Sequence, residues 1–244
     1  MNKRKILFSV LALLLIGFVL FIYNEFNGNP VSKYFATKEL ESYLKETYPK
    51  KEFRLDPGSY NFKDKEYSFN VIEIGSTTPG GTGPREYFFS VRGFINPTVQ
   101  MDGIYTENLD QVLMEKIGKE AGEEIKTLLS QDVKTIISVE VYVEFLKGTF
   151  PADSHWNKSM KLEKPIWMHI YLDATNATRE QVFEDVQKIQ ATLNKHGYEY
   201  ASVNINANVI GDPKGKEDIG YVKFATSFKK NDVLKLKDMR EFNQ

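Results

Sequence analysis

The stretch Thr135–Leu146 (TIISVEVYVEFL) sets Val139, Val141, Val143 and Phe145 on one side and Glu140, Tyr142 and Glu144 on the other. A period of two over that length describes a strand with one buried face. The pattern returns in Pro165–Asp173 (PIWMHIYLD), where Ile166, Met168, Ile170 and Leu172 oppose Trp167, His169 and Tyr171. Then the period lengthens to that of a helix. Thr178–His196 aligns Val182, Phe183, Val186, Ile189 and Leu193, opens on a Thr178–Gln181 capping box and stops at Gly197. Tyr200–Ile210 alternates Val203, Ile205, Ala207 and Val209 against Asn204, Asn206 and Asn208, and Ile219–Phe228 follows the polar turn Gly211–Gly220 as a last strand. Residues 132–230 therefore read as a ββαββ domain, with a charged tail over 231–244 that is either a short helix or frayed.

Moving toward the N-terminus, the long amphipathic helix Asn108–Gln131 carries Leu109, Leu113, Ile117, Ala121, Ile125, Leu128 and Leu129 as one stripe. Asn108 with Gln111 forms a variant capping box, and Gly118 and Gly122, one turn apart, permit close approach to a sheet or another helix. Before it, Phe53–Leu55, Tyr60–Phe62, Tyr67–Ile74 and Tyr87–Phe94 read as strands, the last two joined by the loop Gly75–Pro84. The helix Lys33–Tyr48 precedes them and ends at Pro49. Isolated helices among clustered strands predict an α+β fold with mainly antiparallel sheets. The expected arrangement is two small lobes, 33–131 and 132–230, reached through an irregular linker at 24–32.

The first 23 residues are of another kind. Ile6–Tyr23 (ILFSVLALLLIGFVLFIY) is uncharged, follows Lys3, Arg4 and Lys5, and spans roughly 27 Å as a helix, close to the ~30 Å hydrocarbon core of a bilayer. It exceeds the usual h-region of a cleaved signal, and no small-x-small site follows it. The absence of cysteine excludes a lipidated anchor. The reading is a retained single-pass anchor of the cell membrane. The three leading cations place the N-terminus in the cytoplasm and the C-terminal lobes outside.

Composition narrows the function of those lobes. With the three leading cations set aside, 29 Lys and Arg stand against 33 Asp and Glu, too balanced for a nucleic-acid partner. Having no cysteine also removes disulfide scaffolds, thiol nucleophiles and cysteine-based metal clusters. The 17 Phe and 13 Tyr supply ample material for a core without disulfides.

Gly28-Asn29-Pro30, then Tyr43-Leu44-Lys45-Glu46-Thr47-Tyr48-Pro49, Tyr60-Asn61-Phe62-Lys63-Asp64 and Tyr67-Ser68-Phe69-Asn70-Val71 follow one hydrophobic anchor. Together they resemble the YfjL-like family, uncharacterised membrane-anchored proteins of Gram-positive bacteria. The resemblance covers about residues 28–93. It implies location and architecture and carries over no catalytic residue.

The candidate chemistry is sparse. Gly80-Gly81-Thr82-Gly83-Pro84-Arg85 joins two strands, lacks a Gly-Lys-Ser/Thr ending and opens no helix, so it reads as a hairpin loop and not as a phosphate cradle. Asp153-Ser154-His155-Trp156 is too local for a catalytic triad, whose members converge from separate elements. His196 sits where a helix C-terminus favours a cation. His169 with Glu140 and Glu144 is a weak divalent-metal alternative.

The outward faces of the last lobe are more distinctive. Tyr142, Trp167, His169 and Tyr171 with Asn204, Asn206 and Asn208 combine rings and amides, the chemistry of peptide or carbohydrate recognition. The competing explanation is that the other lobe or the long helix covers this face. The reading is a non-catalytic, extracytoplasmic binding or interaction protein without a cofactor, whose ligand is an envelope protein, a peptide or a glycan. The alternatives are an envelope enzyme using the same face, and a regulatory or immunity-type protein acting on a membrane neighbour.

Overall fold

The computed structural model describes residues 3–78, 80, 81, 83–211 and 220–242. It is α+β, and the chain divides into two compact units, Met1–Glu107 and Asn108–Gln244. The boundary expected between 131 and 132 thus moves upstream, because the long helix packs on the second sheet.

In the first unit, helix α1 (Lys3–Asn27) is long and apolar enough to cross a membrane, and its side chains from Ile6 to Tyr23 are all exposed. An apolar surface on every side leaves no polar face for water. Helix α2 (Pro30–Thr47) follows after two residues only, so the expected irregular linker at 24–32 is a tight corner. Gly28 turns it at φ +68°, and Asn29 caps α2 by accepting from Ser32 N at 2.9 Å, with Pro30 at the first helical position. Tyr67, buried in the sheet, locks the corner. Its hydroxyl accepts from Asn29 N at 2.9 Å, donates to Asn29 O at 3.0 Å and meets Ser32 Oγ at 2.8 Å.

The first sheet runs β1 (Phe53–Leu55), β3 (Glu66–Glu73), β4 (Arg85–Arg92) and β5 (Thr98–Asp102), with β2 (Ser59–Asn61) also on β3, all antiparallel. Leu40 and Leu44 of α2 bury against Phe69, Val71, Phe89 and Val91. Strand β5 and the short helix α3 (Gly103–Glu107) have no counterpart in the sequence reading, although Val99 and Met101 alternate with Thr98, Gln100 and Asp102 over the five residues of β5. Asp102 ties them to α2, its Oδ2 accepting from Tyr43 at 2.8 Å and Tyr48 at 2.6 Å. The loop between β3 and β4 closes on itself through Thr78, which bonds Gly83 and Pro84. No helix follows, so the hairpin reading holds for its described residues; Thr82 lies outside them.

In the second unit, helix α4 (Gln111–Leu129) is shorter than Asn108–Gln131 and is capped by Asp110, which accepts from Leu113 N, and not by Asn108. Strand β6 (Ile136–Tyr142) ends four residues before Leu146, leaving Glu144 beyond it. Then come β7 (Ile166–Asp173), α5 (Arg179–Lys195), β8 (Tyr200–Val209), β9 (Tyr221–Phe228) and β10 (Arg240–Glu241). The sheet order is β10-β9-β8-β7-β6, antiparallel except for β7 and β8, which α5 joins in parallel. The tail is more ordered than expected: a 3₁₀ turn at Leu236–Asp238 and β10 close the sheet edge, with Arg179 donating to Leu236 O and Met239 O. The polar turn expected at Gly211–Gly220 falls largely on residues 212–219, outside the described ones, as does Ile219.

Leu113, Ile117, Ala121, Ile125 and Leu129 of α4 and Val182, Val186, Ile189 and Leu193 of α5 share one core with the inward residues of the sheet. At that contact Gly118 and Gly122 meet backbone. A Cβ at either would stand 2.4 Å from the carbonyl oxygen of Val141 or Val139. The long helix therefore belongs to the core side of the sheet and does not cover its other face.

Candidate functional site

The face away from α4 and α5 is built in rows by strand register. Tyr142 pairs with Trp167, and Trp167 with Ser202. Glu140 pairs with His169, His169 with Asn204, and Asn204 with Ser227. Tyr171 lies between Ser138 and Asn206. Because neighbouring strands stand about 4.8 Å apart, these rows place the ring and amide side chains in lateral contact. Six of the seven residues expected to form a binding face come together here: Tyr142, Trp167, His169, Tyr171, Asn204 and Asn206. Asn208 does not. A register shift at Ala207/Asn208 interrupts the alternation and leaves Asn208 buried.

The rings form two stacks. Tyr142 and Trp167 lie face to face, centroids 3.8 Å apart and planes 5° apart, each still 40% and 41% exposed. His169 and Tyr171 stack at 4.5 Å and 12° and are half-buried. His169 Nε2 is sealed from solvent without a hydrogen-bond partner. Tyr142 donates to Glu140 Oε2 at 2.8 Å, and this bond, with burial and the carboxylate charge, pushes its phenol up to about 12. Burial, and then the same carboxylate, raises the Tyr171 phenol.

The metal alternative is not assembled. Glu140 is beside His169, but Glu144 lies past the end of β6 and accepts from Lys164. Among the described residues no three His, Cys, Asp or Glu side chains form a metal-binding group. His155 and Ser154 serve the fold instead of a triad. Glu120 accepts from Trp156 N at 2.8 Å and pairs with His155 Nδ1 at 2.9 Å, while Lys116 donates to Ser154 O at 2.9 Å, so α4 pins this loop. His196 is the C-cap of α5, before Gly197 at φ +73°.

One feature escaped sequence reading. A groove of ≈ 450 Å³ lies between α4 and β6, lined by Met114, Glu115, Lys119 and the strand residues through Glu140 and Tyr142. It opens beside the Tyr142–Trp167 stack. The two helix glycines were its signal, since they draw α4 onto β6, and Gly118 itself lines the groove.

Comparison with known proteins assigns the family. The family model of the YfjL-like N-terminal domain matches residues 3–103, and that of the YfjL-like C-terminal domain matches residues 120–240. The chain belongs to the YfjL-like family. The two matches agree with the division of the structure at Glu107/Asn108. This YfjL-like chain is also 32% identical over 241 residues to the uncharacterized protein YfjL of Bacillus subtilis (strain 168), covering 98% of each. That relative is consistent with the Gram-positive origin expected above. The crystal structure of a DUF5037 family protein from Ruminococcus gnavus ATCC 29149 is 14% identical over 80% of this chain and 82% of that chain. Its TM-score is 0.22, too low to bear on the fold.

The tyrosines of the second unit make alkaline stability a direct readout of packing. Burial first, then the charges of Asp232 and Glu199, push Tyr200 up to about 12. The unfolded chain releases such a proton near pH 10, while the folded chain holds it. This contribution is whole below about pH 10 and is lost as pH climbs through the folded value. Urea midpoints are expected to fall from about pH 10 upward. The fall should be shallower in Tyr200→Phe; an equal slope in both proteins contradicts the assignment.

Proposed function

We propose that this protein is a single-pass, membrane-anchored binding protein of the bacterial envelope, with both α+β domains outside the cell and no catalysis of its own. On this reading the open face of the second sheet captures an extended segment of a neighbouring envelope protein or a peptide. The observation that carries it is the Tyr142–Trp167 stack, exposed beside the row of His169, Asn204 and Ser227. Exposed Trp and Tyr next to amides match the composition of recognition hot spots.

The stacking geometry favours a peptide over a glycan. Each ring uses one face on its partner, so the pair offers edges and outer faces instead of a flat platform for a sugar ring. Ring edges carry partial positive charge and suit backbone carbonyls, and Asn204 and Asn206 supply both donors and acceptors. The adjoining groove along β6 extends the surface to a length that an extended segment fills.

The test is crosslinked capture from intact cells with the full chain tagged after Gln244, comparing the unaltered protein with a Tyr142→Ser/Trp167→Ser variant. Both side chains are exposed, so thermal unfolding is expected to change little while capture of a defined partner falls at least about tenfold, the loss of one strong hot spot. Capture at the same level by the variant refutes this face. External protease that leaves the tag intact refutes the topology.

A further inference from the structure

The corner after α1 fixes the first domain to its membrane helix, and the end of the sheet nearest that corner is tipped with apolar side chains. The turn between β2 and β3 packs directly on the last turn of α1. Phe62 lies 5.4 Å from Phe26, centroid to centroid, and Lys65 Nζ is 3.0 Å from Glu25. Phe26 is three residues beyond Tyr23, where the apolar span ends, so it sits about 4–5 Å further along the helix axis. That is within the headgroup layer, which adds roughly 5–7 Å on each side of the hydrocarbon core.

The β4–β5 turn leaves the sheet at the same level. Glu66, at the start of β3, is the register partner of Arg92, at the end of β4, and the two are ion-paired at 3.4 Å. Gly93, at φ +122° with no room for a Cβ against Pro97, makes that turn tight, and its tip presents Phe94 and Ile95 outward. Phe62, Phe94 and Ile95 are 46%, 54% and 63% exposed. Aromatic and aliphatic tips on two adjacent turns, at the exit of an apolar helix, fit the belt of rings found where membrane proteins meet the interface.

We propose that this end of the first sheet rests in the interfacial layer of the bilayer that α1 crosses, with Phe62, Phe94 and Ile95 immersed among the headgroups. The occupant of the patch is the lipid surface itself. The proposal rests on the anchored reading above and deepens it: the first domain is seated on the membrane and not suspended from it. The neighbouring charges are Glu25, Lys63, Asp64, Lys65, Glu66 and Arg92, three of each sign. Seating is therefore driven by apolar burial and does not require anionic lipid.

The cysteine-free chain permits a clean test. Single cysteines at Lys63, Asn96, Thr77 and Val19, each bearing a nitroxide, are placed in the full chain and reconstituted in phosphatidylcholine vesicles. Thr77 lies in the loop at the opposite end of β3, roughly 26 Å away along eight strand residues. Collision with a water-soluble nickel chelate is expected to be several-fold lower at residues 63 and 96 than at 77, and lowest at 19. Adding a Phe62→Ser/Ile95→Ser pair should restore nickel access at 63 and 96, and high salt should change nothing. If residues 63 and 96 are as accessible as 77 while 19 is shielded, the seating is wrong and the anchor stands. If 19 is accessible, the anchor reading fails and the proposal with it.

Discussion

Replacing Gly118 and Gly122 together by alanine is expected to destabilise the second domain by about 4 kcal/mol. Each new Cβ would meet a backbone carbonyl oxygen at 2.4 Å, Val141 O in one case and Val139 O in the other. Overpacking costs about 1–3 kcal/mol where neighbours yield. A carbonyl within a hydrogen-bonded strand yields little, so about 3 kcal/mol per site is the appropriate end of that range. Alanine returns about 1 kcal/mol per glycine in helix propensity, which the clash outweighs. The readout is local to this domain, because the chain's two tryptophans, Trp156 and Trp167, both belong to it. Urea unfolding followed by their fluorescence should show a midpoint lower by about 2 M at a slope of about 2 kcal/mol per M. An unchanged or higher midpoint would mean that α4 does not lie against β6, and the groove beside it would lose its basis.

The second large effect is expected at the corner between the apolar helix α1 and the first domain. Gly28 is both left-handed, at φ +68°, and enclosed, a Cβ there falling 2.3 Å from Tyr67 Oη and 2.8 Å from the Tyr60 ring. Left-handed backbone costs a residue with a side chain about 1–2 kcal/mol, and displacing Tyr67 breaks its bonds to Asn29 and Ser32. Gly28→Ala should therefore cost about 3 kcal/mol locally. Amide exchange over residues 28–33 should quicken roughly 100-fold. Tyr67→Phe separates the two causes, since it removes the hydroxyl but leaves the turn intact, and its effect should be nearer tenfold. Equal exchange in Gly28→Ala and the unaltered chain would contradict the locked corner, and the seating of the domain on the membrane would weaken with it.

Much of this architecture was legible where one physical signal dominates a segment. The run Ile6–Tyr23 is apolar on every side, so its helix needs no partner to be recognised. Val139, Met168, Ile170 and Val203 alternate strictly because each strand has one dry face and one wet face. The Thr178–Gln181 box announced α5 because capping is local chemistry. The proposed binding face followed from the same alternation: once Ile170 points inward, His169 and Tyr171 must point outward.

What misled the reading was long-range. Thr98–Asp102 is a strand because β4 offers it a ladder and Asp102 is claimed by Tyr43 of α2 and by Tyr48, its C-cap, partners more than 50 residues away. Strand β6 stops at Tyr142 although the alternation runs on to Phe145, because its ladder to β7 ends where Tyr142 pairs with Trp167. The backbone beyond bonds to residues 108–110 instead, Asp110 N donating to Phe145 O at 3.2 Å and Lys147 N to Asn108 O at 2.9 Å. Register by itself detaches Glu144 from His169, since Glu144 stands four residues, about 13 Å, beyond Glu140, the residue opposite the imidazole. Asn208 left the open face through a bulge at Ala207/Asn208, which no period of two can announce.

Local composition and periodicity thus determined by themselves the long apolar helix, the α+β class and which side chains share a face, and short motifs carried the family resemblance, since each depends on a residue and its near neighbours. The domain boundary, the tight corner at Gly28, the face-to-face ring stacks and the apolar sheet end beside α1 were decided only by the tertiary structure. Each of these is a meeting of residues distant in the chain, held by contacts whose partners no local pattern names.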